Sequence, residues 1–390
     1  MDLQQRPASK GSLKALALVF LKLGVIGFGG PAAHVAMMDD EVVRRRRWLS
    51  REDFLDLLGA TNLIPGPNST EMAIHVGHRQ AGWPGLLVAG VCFILPAGLI
   101  VTAFAWAYVR YGVLPEVTGV LYGVKPVIIA IVLQALVNLG RTALKTSFSW
   151  AVAATATALA FLGVNELLLL LGGGIVGLTG KWLREYQHRK RGTAVLSVWA
   201  AWPFGLLAKS AAATTSGAAF GLWPLFWFFL KVGSILYGSG YVLLAFMRAD
   251  LVERWGWLTE TQLLDAVAVG QVTPGPVFTT ATFIGYLLGG PAGAAVATVG
   301  IFLPAFFFVA VSGPLVPRIR RSPLAGGFLD GVNAASLALM FFVTYQLGRA
   351  ALVDVPSTVL AVATSLIVFR FAVNSAWLVL GGGLLGFLLK

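Results

Sequence analysis

The sequence predicts an all-α polytopic membrane protein made of two homologous repeats, and three observations carry that expectation. Charge is sparse: Asp, Glu, Lys and Arg make up 12% of the 390 residues, about half the ~25% of soluble globular domains. Apolar runs are long and frequent, with 57% hydrophobic residues and a mean hydropathy of +0.80. The third observation is self-similarity at a fixed offset, the signature of a tandem duplication. The first two exclude an ordinary soluble enzyme. A net charge of +12 would suggest nucleic acid in a soluble chain; here the basic residues fall between apolar runs, and no nucleic-acid partner is expected. One cysteine, Cys92, excludes a disulfide framework and a thiolate metal site. No metal or other cofactor is expected.

A helix needs about 20 apolar residues to cross the hydrocarbon core. Candidate spans in the first part are 12–30, 84–109, 117–139, 148–164 and 166–183; in the later part they are 218–238, 292–315, 326–347, 355–371 and 375–389. Between the first and second span of each set lies a moderately apolar stretch cut by Pro-Gly-Pro, at 65–67 and at 274–276. Each stretch opens on a helix-start signal, Ser50 with Asp53 and Thr259 with Gln262. From there to the proline is roughly 20 Å of helix, too short to cross. Two prolines around one glycine must break the helix. Each stretch is therefore two half-helices meeting at an elbow, either a re-entrant hairpin or a discontinuous span.

FLKLGVIGFGG at 20–30 aligns with FLKVGSILYGS at 229–239, an offset of 209 that also pairs Trp48 with Trp257, Asp56 with Asp265 and the two elbows. After a one-residue deletion the offset is 208, pairing Gly77 with Gly285, Pro96 with Pro304 and Arg141 with Arg349. The expected organisation is an N-terminal repeat at 1–183, a cytoplasmic linker at 184–217 and a C-terminal repeat at 218–390. Five crossings per half is an odd number, so the second repeat should be inverted unless the linker crosses; its apolar piece, 195–207, reads as interfacial. In the first half Arg44 to Arg47, Arg51, Arg141, Lys145 and the 181–191 run fall on one side, which the positive-inside rule makes cytoplasmic. The basic run at 44–47 reads first as this topology anchor. Arg6, Lys10 and Lys14 also ask for a cytoplasmic N-terminus, in conflict with a full first crossing.

The combination of FGGP followed by His34, the IPGP elbow at 64–67, FILPAG at 93–98, GQVTPGPVFTTATFIGY at 270–286 and FLP at 302–304 resembles the chromate transporter family, in its long-chain two-domain form. The resemblance implies export of chromate from the bacterial cytoplasm across the inner membrane, driven by the proton motive force, with sulfate as the alternative substrate in some members. Its implied partners are a chromate or sulfate-like dianion, protons and the lipid bilayer, with a homodimer as a further expectation. The sequence departs from the family's pattern at NLIPGP and at Gly238-Ser239-Gly240, which replaces GGP.

A tetrahedral dianion needs preorganised donors in a low-dielectric site. A half-helix starting after Pro-Gly-Pro aims free amides and its positive dipole end at the break. The candidate substrate site is accordingly Pro65, Gly66, Pro67, Asn68, Ser69 and Thr70 at the first elbow, with Pro274, Gly275, Pro276, Thr279 and Thr280 at the second. The blander reading has the hydroxyls only capping helices. Lys22 and Lys231 sit in mid-span at the same repeat position, where cations are usually functional; alternatively each lies at a shallow, hydrated helix end or pairs with Asp56 or Asp265. Gly29, Gly30 and Pro31, with Gly238, Ser239 and Gly240 opposite, form a second backbone break whose amides could meet oxyanions or simply end a helix. Lys125 and Asn333 share a repeat position and are pathway candidates or structural glue, as are Gln134, Asn138 and Gln346. For proton coupling the candidates are His34, Glu71 and His75; the spacing Asn68 to Glu71 also fits a capping box. No motif of an intramembrane enzyme occurs. A passive anion channel stays open as the rival transport class.

Overall fold

The computed structural model describes residues 12–28, 30–112, 114–189, 219–236, 242–320, 323–371, 373 and 375–389. Among these every regular element is helical. The first repeat holds α1 (Leu13–Ile26), α2 (Gly30–Met38) running into a π-helical turn (Asp39–Arg45), α3 (Arg51–Thr61), α4 (Asn68–Tyr111), α5 (Pro115–Ala143), α6 (Ser147–Phe161) and α7 (Glu166–Arg189). The second repeats the series with α8 (Leu222–Ile235), α9 (Leu243–Met247) and its π-turn (Arg248–Arg254), α10 (Glu260–Val272), α11 (Thr280–Arg320), α12 (Pro323–Ala351), α13 (Val355–Arg370) and α14 (Ser375–Leu389). Of these, α4, α5, α7, α11 and α12 are long and apolar enough to cross a membrane.

The run at 12–30 does not cross by itself. Ser12 caps α1, accepting from the Ala15 amide, and the helix ends after 14 residues, or about 21 Å against the ~30 Å of hydrocarbon. The chain then doubles back. Leu16, Phe20 and Leu23 of α1 share one core with Met38, Val42 and Trp48. In the second repeat Phe228 on α8 meets Trp255 at 5.5 Å, and Phe220 meets Trp257 at 5.4 Å. The start of α1 and the arginines at 44–47 thus lie on one face, which removes the conflict over the N-terminus.

The Pro-Gly-Pro stretch is a re-entrant hairpin. Ser50 caps α3 through the Asp53 amide, and Thr259 with Gln262 forms a reciprocal capping box on α10. After the first elbow the chain returns to where α3 began: the Gln80 amide donates to the Trp48 carbonyl at 2.8 Å, and Arg79 reaches Asp53. A second reversal then splits α4 at Ala81 and Gly82, and α11 at Gly289 and Gly290. Gly82 and Gly290 have φ of 61° and 59°, a conformation that glycine adopts without strain. The two arms of α4 fold so closely that a Cβ on Gly77 would lie 2.3 Å from the Gly85 carbonyl oxygen; Gly285 stands in the same relation to Gly293.

After the second arm of α4 come α5, α6 and α7, and α6 has only 15 residues, so helix length does not fix the parity of the crossings. Inversion is set instead by packing. The repeat-related helices α5 and α12 run antiparallel, with Gly140 facing Leu337 and Gly348 facing Ile129, so the pseudo-two-fold axis lies across the helices. Each repeat lends its last helices to the other: α7 packs on α12 and α14 on α5. Backbones meet there at glycines, Gly173 and Gly177 against Gly331, and Gly382 and Gly386 against Gly123, the small-residue contact that replaces hydrophobic driving force in lipid. Helix α7 continues to Arg189; the expected interfacial piece at 195–207 lies outside the described residues.

Candidate functional site at the crossed elbows

The two elbows are docked across the repeat interface by a reciprocal pair of hydrogen bonds. The Gly66 amide donates to the Leu236 carbonyl at the end of α8, at 2.7 Å, and the Gly275 amide donates to the Gly27 carbonyl at the end of α1, at 2.8 Å. Residues 27 and 236 are themselves repeat partners. Each Pro-Gly-Pro tip therefore closes the broken end of the other repeat's first helix. Both glycine amides, expected as anion donors, are engaged in this conformation, and proline has none to offer. The break after α1 likewise contributes a carbonyl rather than amides; Gly30 and Pro31 open α2, while Gly29, Gly238, Ser239 and Gly240 lie outside the described residues.

Beyond the tips the repeats diverge. At the first elbow Pro67 is the cap residue and Asn68 the first helical one, so the expected Asn68–Glu71 capping box does not form. Asn68 donates to Asn62 at 2.9 Å and keeps a buried Oδ1 without a partner. Glu71 is fully buried, and neither carboxylate oxygen has a hydrogen-bond partner. Its Oε1 lies 2.2 Å from where a Cβ on Gly66 would stand, so the carboxyl is packed against the elbow glycine. One turn on, His75 Nε2 is also buried and unpartnered, as is Thr70 Oγ1. Spacing of three and four residues puts Asn68, Glu71 and His75 on one helix face. Ser69 is buried beside them.

At the second elbow the same face carries Val277, Thr280 and, according to where the deletion falls, Phe283 or Ile284. Thr279 and Thr280 are not free donors: their hydroxyls donate to the carbonyls of Pro276 and Val277 at 2.8 and 2.9 Å. His34 shows the same asymmetry. Its Nε2 donates to the Gly27 carbonyl at 2.8 Å, sharing that acceptor with Gly275, and its Nδ1 is buried without a partner. The repeat position is Leu243.

The lysines expected as a substrate pair stand elsewhere. Lys22 is half exposed and pairs with Glu41 at 3.4 Å; Lys231 pairs with Asp250 at 2.5 Å. Asp56 and Asp265 are not their partners. Glu41 and Asp250 are repeat equivalents, each with an arginine four residues on, Arg45 and Arg254. Burial alone would push Glu41 up, but Arg46 and Lys22 outweigh it and hold the carboxyl below its ordinary range. The acids were legible through the 209 offset, which places Glu41 on Asp250.

Lys125 is the more deeply buried cation, its side chain 18% exposed against 50% and 40% for Lys22 and Lys231. It pairs with Asp265 at 3.3 Å, and Tyr108 donates to the other oxygen of Asp265 at 2.8 Å. The equivalent Asn333 is half-buried. Gln134 ties α5 to α13 through the Val368 carbonyl, a structural bond. A crevice of about 480 Å³ between the second arms of α4 and α11 is lined mainly by side chains such as Leu99, Phe302 and Leu303; the hydroxyls of its threonines, Thr102, Thr282 and Thr298, are already engaged in hydrogen bonds.

Inverted repeats, paired re-entrant elbows and unpartnered polar groups at the repeat interface define a multi-pass membrane transporter of the broken-helix class. The particular family follows from comparison with known proteins. The chromate transporter model matches residues 14–178 and again 223–387, and the chain belongs to that family. Similar proteins include a chromate transport protein of Cupriavidus metallidurans, 32% identical with 96% of this chain and 92% of the relative covered. A chromate transport protein of Pseudomonas aeruginosa is 33% identical over 95% and 90%, and a probable chromate transport protein of Synechococcus elongatus 33% over 89% and 87%. No solved structure matches the chain.

Proposed function

We propose that this protein is a secondary transporter that exports chromate from the cytoplasm across the bacterial inner membrane, with the anion passing between the two elbow joints. The observation that carries the reading is the reciprocal docking of the elbows. A carrier must open one central site to two sides in turn, and the joints Gly66–Leu236 and Gly275–Gly27 are symmetry-related, single-bond contacts that can open one at a time. When a joint opens, the elbow amide and the start of the following half-helix become available to an oxyanion, with Asn68, Ser69 and Thr70 on the first side.

The names of the full-length relatives support chromate as the substrate. Export of a dianion from an inside-negative cell runs down the membrane potential by roughly 4.6 kcal/mol per 100 mV, twice the ~2.3 kcal/mol per charge, so the electrical part of the proton motive force suffices to drive it. Glu71 adds the proton. A buried carboxyl with no ion-pair or hydrogen-bond partner among the described residues is neutralised most cheaply by a proton, and it sits on the joint whose opening the anion needs. Radiolabelled chromate uptake into everted vesicles tests the proposal. Expected is saturable accumulation that collapses with valinomycin and potassium and is competed by molybdate and sulfate less well than by chromate. Non-saturating, purely voltage-driven flux would make it a channel, and preference for sulfate would reassign the substrate.

A further inference from the structure

The reading above does not use a buried polar trio, Tyr108, Lys125 and Asp265. It joins the two repeats: Tyr108 and Lys125 come from α4 and α5 of the first, Asp265 from α10 of the second. Asp265 is 1% exposed, and its two oxygens face different donors, the Lys125 ammonium at 3.3 Å and the Tyr108 hydroxyl at 2.8 Å. The ammonium contact is an ion pair without an aligned hydrogen bond, since Oδ1 finds no hydrogen-bond partner. Buried ion pairs are weak sources of stability, and intramembrane ionisable residues by default mark a function. The pseudo-two-fold does not reproduce the trio: Lys125 becomes Asn333 and Tyr108 becomes Val316, while Asp56 replaces Asp265.

We infer that Lys125 and Tyr108 form an oxyanion subsite at the repeat interface, which the Asp265 carboxylate occupies in this conformation as an internal stand-in for the substrate. A cation and a hydroxyl converging on two carboxylate oxygens present the donor set that two oxygens of a tetrahedral dianion require. Asp265 lies on the half-helix that ends at the second elbow, nine residues before Pro274, and that elbow is tethered to the first repeat by the Gly275–Gly27 bond. Release of the joint frees α10 to withdraw the carboxylate. The ammonium and phenol are then left to the anion. Pro126 follows Lys125 directly inside α5; lacking an amide, it leaves the helix one hydrogen bond short at that level, so the backbone beside the lysine can adjust.

This inference rests on the proposal that the substrate is a chromate-like dianion, and the experiment separates the two. Full-length protein in nanodiscs is titrated with sodium chromate and sodium sulfate against chloride of equal ionic strength, with flux measured in parallel. Asp265→Asn removes the competing counter-ion and is expected to tighten chromate binding by about tenfold while slowing turnover. Lys125→Gln combined with Asp265→Asn leaves a neutral, similarly sized pair; it should keep the wild-type melting temperature and weaken binding by at least about tenfold. Tyr108→Phe should weaken it by a few-fold. Wild-type affinity in the neutral double variant, or no tightening in Asp265→Asn, overturns the subsite while leaving chromate transport standing. A wild-type protein that binds neither anion overturns both.

Discussion

The two repeats differ in two ways, at the rim and at the elbow, and the differences have opposite meanings. At the rim of the first repeat Asp39 takes Arg44 and Arg51; at the equivalent positions of the second, Arg248 takes Glu253 and Glu260. Every sign is reversed and every pair is kept. Complementarity that survives a charge reversal marks a geometric role, here the pinning of the π-turn to the start of the re-entrant helix. At the elbow the divergence is uncompensated: Asn68, Glu71 and His75 carry buried atoms with no partner, while Val277 and Thr280 face the same way with nothing left unsatisfied. Buried polar groups left without partners carry a folding penalty, which supports the transport role proposed for this face of the first elbow.

The largest effect that would break this comparison is a swap at position 71. Glu71→Gln keeps size and removes the proposed proton site; chromate flux in everted vesicles should fall by at least about tenfold with expression unchanged. Thr280→Val, its counterpart, should stay within about twofold, because its hydroxyl serves only its own helix. Equal losses in the two variants would show the elbows to be chemically equivalent after all. The elbow glycines sharpen the point. A Cβ on Gly275 would stand 2.5 Å from the Ala97 Cβ, a stub that cannot move, whereas on Gly66 it meets the movable end of Glu71. Both glycines have positive φ, 140° at Gly66 and 94° at Gly275, so alanine is strained at either; Gly275→Ala adds a fixed clash and is expected to lose more folded protein, by size-exclusion profile, than Gly66→Ala, whose folded fraction should transport poorly through displacement of Glu71.

Much of this was readable from the residues. The duplication, the helix breaks at Pro-Gly-Pro and the caps at Ser50 and Thr259 are local or periodic signals, and the structure keeps them. The doubling back of α1 was not readable, because a run of apolar residues gives a length to be crossed but not a turn; the three N-terminal basic residues were its only trace. The elbow amides were expected free since their acceptors, Gly27 and Leu236, lie far away in sequence and contribute only a backbone carbonyl, which no side-chain pattern reports. Mid-span position points Lys22 and Lys231 to the substrate, with Asp56 or Asp265 as the alternative partners; the acids that do pair with them, Glu41 and Asp250, stand in register at the same offset. Lys125 had no visible partner in its own half because that partner belongs to the other.

The rim comparison makes a smaller prediction. Asp39→Arg alone puts a third cation beside Arg44 and Arg51 and should lower the melting temperature by on the order of 1 °C, the shift that about 1 kcal/mol gives in a chain of this size. Adding Arg44→Glu and Arg51→Glu rebuilds the arrangement of the second repeat and should recover most of that loss without altering flux. A triple variant no more stable than Asp39→Arg would mean that the two clusters are not interchangeable and that the positive one has a use of its own, such as collecting the anion at its face.

The smallest effect concerns one backbone position. Arg47 has φ of 54° and its equivalent Gly256 has φ of 63°, and in both repeats the following turn closes by the same bonds, Trp48 to Val42 and Trp257 to Leu251, each at 2.8 Å. The turn thus imposes a left-handed residue, and the second repeat fills it with the one that bears it without strain. Arg47→Gly should stabilise the protein by up to about 1 kcal/mol, read as a rise of about 1 °C at most in melting temperature. The side chain at 47 then has to be explained by something other than folding. In the first repeat it extends the arginine run that the positive-inside rule assigns to the cytoplasm, so the same variant in a topology reporter should show a measurable fraction of misoriented chains while Gly256→Arg shows none.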